Sequence, residues 1–135
     1  MASNKTFRFG PVAMNVDTRT NILNPPTASG GTNAGTSSQF IILKHIRIVN
    51  KTAGAIRFGL WLGATGANAA GTEVISGATA TAGALDASVG ISVAANSYHD
   101  WYGVMRIDAA DFLVGGASAA TSLTIQGEGE IGVAG

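Results

Sequence analysis

The chain has 135 residues, and only 12% of them are charged, about half of the roughly 25% usual for a soluble domain. Eight basic and eight acidic residues cancel, so no net charge draws the molecule to nucleic acid or anionic lipid, and the lack of cysteine rules out disulfides and thiolate metal sites. No apolar run approaches the about 20 residues of a membrane-spanning helix, so the surface must be rich in Gly, Ala, Ser, Thr and Asn, residues that lose little rotamer entropy and strand no charge when a neighbour covers them.

The start, Met1-Ala2-Ser3-Asn4-Lys5, lacks the basic-then-apolar pattern of a signal peptide, and the expectation is a protein not secreted by a cleaved signal. Residues 1–38 read as an extended arm and flexible loop, because Pro11, Pro25-Pro26 and the run from Ser29 to Ser38 interrupt any pattern that packs alone. Phe7, Phe9, Val12, Met14 and Val16 are its expected adhesive points, with Lys5 and Arg8 available for acidic partners. Deleting Ala2 to Asn24 is then expected to leave a folded body, residues 39–135.

Within that body, Phe40 to Val49 is dense in β-branched and aromatic residues, and Asn50-Lys51-Thr52-Ala53-Gly54 supplies a turn. Beyond it Ile56, Phe58, Leu60 and Leu62 alternate with Arg57, Gly59 and Trp61, and the two strands are expected to form a hairpin. Gly63 to Gly90 is almost entirely small residues, with Glu73-Val74-Ile75 as its most strand-like piece. Val89, Ile91 and Val93 form a short strand, followed by a longer one from Tyr98 to Ile107. A single helical turn is expected at Ala109 to Val114, capped by Asp108 and ended by Gly115-Gly116. At the C-terminus Leu123, Ile125, Gly127, Gly129, Ile131 and Val133 alternate with mostly polar residues, a strand with one buried face whose interior glycines signal a bend, a bulge or a close backbone approach. Strands at intervals without alternating long helices predict an all-β, antiparallel β-sandwich or jelly-roll-like barrel.

Catalytic patterns fare poorly. His99 and Asp100 are adjacent and so point to opposite faces of a strand, and His45, between Lys44 and Ile46, reads as a structural histidine. Two distant histidines and scattered carboxylates lack metal-ligand spacing. Glu128 and Glu130 share a strand face about 7 Å apart, a spacing open to glycoside hydrolysis, but charge on the outer face of a strand also guards against aggregation. The glycine-rich segments lack the Lys-Ser or Lys-Thr of a nucleotide loop. No catalytic, metal or cofactor-binding residue is therefore expected. The aromatics suggest contact instead: Trp61 falls opposite its strand's apolar face, and Tyr98, Trp101 and Tyr102 cluster, so Trp61 and Trp101 join Phe7, Phe9, Val12 and Met14 as candidate interface residues, with core placement the competing reading.

The phrase from Ile46 to Ile56, then Leu60-Trp61-Leu62-Gly63-Ala64-Thr65-Gly66, then Gly127-Glu128-Gly129-Glu130-Ile131 resembles small virion structural proteins of tailed bacteriophages. In size and texture the chain is most similar to capsid decoration, or cement, proteins, and less so to small tail or head-fibre components. The resemblance implies a β-sandwich or jelly-roll body that sits on an assembled particle, often as a symmetric oligomer, and it transfers no catalytic residue. The resulting expectation is a non-enzymatic virion protein, assembled in the bacterial host cytoplasm, that binds the outer surface of a phage capsid and stabilises it by bridging neighbouring subunits. Its expected partners are the major capsid protein and copies of itself, as a trimer or dimer, with no nucleic acid, membrane or cofactor. The alternative is a tail or head-fibre module recognising a host-surface glycan, which calls for convergent aromatic and Asp or Asn groups in one loop set.

Overall fold

The computed structural model describes residues 5–23, 39–63, 72–75, 84–85, 90–108 and 111–133. Two antiparallel sheets face each other. The first contains β1 (Lys5–Ala13), β9 (Leu123–Val133), β3 (Gln39–Asn50) and β7 (Ser97–Ile107), side by side in the order β1-β9-β3-β7. The second runs β2 (Asn21–Leu23), β8 (Phe112–Ala117), β4 (Ile56–Gly63) and β5 (Thr72–Ile75), with β6 (Ile91–Val93) pairing the first half of β4. No helix occurs among the described residues. The expected all-β sandwich is the observed architecture.

Alternation builds the core. Ile41, Leu43, Ile46 and Ile48 of β3 meet Leu123 and Ile125 of β9, Ile107 of β7, Phe58 and Leu60 of β4 and Leu113 of β8, all fully buried. The inward parity of β3 changes from odd to even at Lys44, because pairing slips between Leu43 and His45 against both β9 and β7. That bulge turns Lys44 and His45 toward the outer face without interrupting the buried row. On β9 the glycines mark close approaches: a Cβ on Gly127 would run into the Phe9 ring, and one on Gly129 into the Ile42 carbonyl.

Three sequence expectations need correction. Residues 5–23 are not an arm. β1 pairs along β9, Phe7, Phe9, Met14 and Leu23 are buried, and Val12 is half-buried against the same core. The following loop is laid on β8, where Asn15 accepts from the Ala117 amide at 2.8 Å and Thr20 from the Gly115 amide at 3.0 Å. The alternation of β1 is hard to see because pairing slips between Phe9 and Val12, around Gly10-Pro11. Residues 24–38 of the expected arm lie outside the described residues.

The expected hairpin of β3 and β4 is also absent, since each strand belongs to a different sheet. Their connection crosses the sandwich, held by the fully buried Asn50. Its Nδ2 donates to the carbonyls of Gly54 and Val93 at 2.8 and 3.0 Å, and its Oδ1 accepts from the Thr52 amide and hydroxyl at 2.9 and 2.7 Å. One amide thus supplies the polar partners that the turn and β6 need at the end of the core.

The third correction replaces the helical turn with β8. Phe112–Ala117 pairs with β4 along its whole length, and Gly115-Gly116 lie inside the strand rather than ending a helix. A Cβ on Gly115 would come 2.5 Å from the Gly59 carbonyl, and one on Gly116 2.8 Å from that of Asn15, so the two glycines permit close passage of backbone on both sides. Ala109 and Ala110, and Val89 of the expected short strand, lie outside the described residues, whereas β5 contains the expected Glu73-Val74-Ile75.

Candidate functional site

Four neighbouring strands bring one polar and aromatic cluster to the outer face of the first sheet. Register places Arg8 of β1 opposite Glu128 of β9, Glu128 opposite His45 of β3, and His45 opposite Tyr102 of β7. One step along, Gln126, Arg47 and Asp100 form the next row. These side chains share a face because the period-two rule holds on each strand and the bulge at Lys44 restores it on β3.

Asp100 ties the cluster together. Arg47 grips it with two parallel bonds, Nε to Oδ1 at 2.7 Å and Nη2 to Oδ2 at 2.9 Å. His45 Nε2 lies 3.0 Å from Asp100 Oδ1, and its Nδ1 lies 3.1 Å from Glu128 Oε1. The doubly protonated ring donates to both carboxylates, the neutral ring to one. The bidentate bond from Arg47, with the His45 contact added, holds the Asp100 carboxyl well below the usual carboxylate range, and the same bond raises the Arg47 guanidinium above its ordinary value. Lys44 extends the network to Glu130 at 3.1 Å. Glu128 and Glu130, one step apart on a single face as expected, therefore face His45 and Lys44 of β3.

Two phenol rings frame the network. Tyr102 stacks on His45 at 4.6 Å between centroids and 12° between planes, and the Arg47 guanidinium lies 4.5 Å from the centre of Tyr98. Each ring has one face covered, Tyr98 by a guanidinium and Tyr102 by an imidazole, yet Tyr98 is 57% exposed and Tyr102 70%, with Val104 beyond them at 77%. Among the described residues β7 is one of the two edge strands of its sheet, the other being β1, so this aromatic row borders an edge.

Beside the cluster is a cavity of about 320 Å³ lined by Arg8, His45, Arg47, Gln126, Gly127 and Glu128. Arg8 stands opposite Glu128 in register, but Glu128 turns to His45, and the Arg8 guanidinium has no partner among the described residues. No group of three or more His, Asp or Glu side chains arranged for a metal ion occurs among the described residues.

The interface candidates named from the sequence lie elsewhere. Phe7 and Phe9 stack on each other in the core, and Met14 is buried beside them. Trp61 is 4% exposed, packed with Leu85, Val114 and Phe112 on the outer face of the second sheet. The expectation that it forms an exposed patch is corrected: alternation does send it away from the central core, but a second apolar layer covers it. Trp101 turns inward and packs half-buried against the main core. His99 also turns inward, its ring 5.6 Å from Phe58, while Asp100 turns outward. Of the aromatics clustered in the sequence, Tyr98 and Tyr102 are the ones the site uses. Alternation with Asp100 between them is the signal that separates them from Trp101.

No protein family matches the chain, and no curated protein or solved structure does either.

Proposed function

We propose that this protein is a non-enzymatic structural component of a phage particle, attached to the outside of the capsid and stabilising it by bridging neighbouring subunits. The observation that carries the reading is the exposed row Tyr98, Tyr102 and Val104 along β7, an edge strand of the first sheet. Exposed aromatic rings are what interfaces enrich, and rings already fixed against Arg47 and His45 lose little freedom when a partner covers them. The sheet orders β1-β9-β3-β7 and β2-β8-β4-β5 support a jelly-roll winding, with β5 and β6 sharing one strand position along β4. Zero net charge supports close packing of copies, as a trimer or dimer on the particle. Cosedimentation with emptied capsids of the source phage, with the parent and with Tyr98→Ala/Tyr102→Ala, tests the reading. Saturable binding of the parent and a loss of about thirtyfold or more in the double variant are expected; a parent protein that fails to bind capsids ends it.

A second reading is favoured by one specific observation, the convergence of the phenols of Tyr98 and Tyr102, the carboxylates of Asp100 and Glu128 and the guanidiniums of Arg8 and Arg47 on one face. That set suits a tail or head-fibre module recognising a host-surface glycan, with rings to cover sugar C–H faces and charged groups to exchange hydrogen bonds with hydroxyls. It occurs on a sheet face rather than in a loop set.

A further inference from the structure

We propose that the cavity between β1, β9 and β3 binds a carboxylated sugar, with Arg8 taking the carboxylate; the proposal rests on the glycan reading of this face. One cation of the lining is left open. Glu128 Oε1 is held by His45 and Arg47 is held by Asp100, but the Arg8 guanidinium, at the mouth of the same cavity, has no partner among the described residues. A planar fork of N–H donors facing an open volume is matched by a carboxylate, which takes two of them at once. Its register partner Glu128 does not fill that role, because the side chain turns away from β1 to the histidine on β3.

The rest of the lining argues for a sugar rather than an acidic peptide. Glu128 bonds His45 through Oε1 alone and its side chain is 60% exposed, which leaves Oε2 as an acceptor, and Gln126 adds an amide with both a donor and an acceptor. Acceptors next to a carboxylate subsite repel the further carboxylates of an acidic peptide but are satisfied by hydroxyl donors, which a sugar ring carries on several of its carbons. The volume, about 320 Å³, lies at the small end of ligand sites, the scale of one or two rings rather than a chain. Tyr102, clamped on His45 at the border, offers its open face to a neighbouring ring.

Calorimetric titration of the full chain with glucuronic acid, glucose and a triglutamate peptide tests the assignment. Glucuronic acid is expected to bind in about the millimolar range of a single-ring contact, with glucose and triglutamate at least about tenfold weaker. Arg8→Leu, at an exposed position, is expected to unfold at the parent's temperature and to lose at least about tenfold in affinity for glucuronic acid while keeping its weak response to glucose. Equal binding of both sugars, unaffected by Arg8→Leu, overturns the carboxylate pocket but leaves the glycan reading standing. Preference for triglutamate assigns the site to an acidic protein partner and overturns the sugar. No response to any of the three overturns the pocket, and if the protein also fails to bind host-cell surface polysaccharide the glycan reading falls with it.

Discussion

The two outer faces of this sandwich have opposite fates. On the first sheet the outward residues of β9, β3 and β7 are Gln126, Glu128, His45, Arg47, Asp100 and the exposed tyrosines, and the face is open. On the second sheet the outward residues of β4 and β8 include Trp61, Val114 and Gly116, and the chain covers its own face with Leu85 and the 14–20 loop, tied on by the Asp17–Ala84 bridge. The strands of the two sheets differ in composition in the same sense. Where polar residues alternate with apolar ones, one face is wet; where both positions are apolar or glycine, as in Phe58-Gly59-Leu60-Trp61-Leu62 and Leu113-Val114-Gly115-Gly116-Ala117, the strand is buried on both sides.

The sharpest way to break this contrast is Trp61→Ala. If the second sheet's outer face is a true second core, the change lowers unfolding free energy by about 3–5 kcal/mol, measured by denaturant titration. A loss under about 1 kcal/mol, typical of an exposed site, would mean that face is in fact open. Gly116→Val probes the same cover from the other side. Its Cβ meets the Asn15 carbonyl at 2.8 Å and the Thr18 Cα at 3.0 Å, backbone that cannot rotate away. A cost of about 1–3 kcal/mol is expected from this overpacking, whereas Thr124→Val, on the open face, is expected to stay within about 0.5 kcal/mol.

The open face is tested by charge. Asp100 is faced by Arg47 and His45 from β3, and by Tyr98 and Tyr102 on its own strand. Because its carboxyl titrates lower in the folded than in the unfolded chain, its stabilisation is fully present above the unfolded carboxylate value, about 3.9, and is lost as pH falls below that toward the depressed folded value. Asp100→Asn is therefore expected to unfold at a lower temperature than the parent at pH 7, with the gap narrowing between about pH 4 and pH 2. A gap constant across that range would separate the clamp from stability. The smallest effect is expected for Tyr98→Ala, which removes a mostly exposed ring and is expected to change stability by less than about 0.5 kcal/mol. A larger loss would show that the Arg47–Tyr98 contact braces the edge strand rather than presenting a surface.

Much of this molecule was legible one strand at a time. The period of two in Leu123 to Val133 and in Ile56 to Leu62, together with the weakness of any helical periodicity, pointed to an all-β antiparallel sandwich, and of the bend, bulge or close approach that the glycines of β9 signalled, the Phe9 ring and the Ile42 carbonyl make the close approach. Alternation also told that His99 and Asp100 part company. These features depend only on the geometry of one extended chain, where neighbours along the sequence set which side each residue faces. Pairing between distant strands was decided by the tertiary structure alone. Whether Asn50 to Gly54 folds β3 back beside β4 or carries the chain across to the other sheet depends on which edges β9, β7 and β8 occupy, and no local pattern encodes that. Phe7 and Phe9 belong to the core because β9 lies beside them, and Trp61 is covered because a residue 24 positions later, Leu85, returns to it. The cluster of Arg8, His45, Arg47, Asp100 and Glu128 needs four strands in one register plus a bulge at Lys44. Long-range pairing energy, not local preference, places those charges side by side.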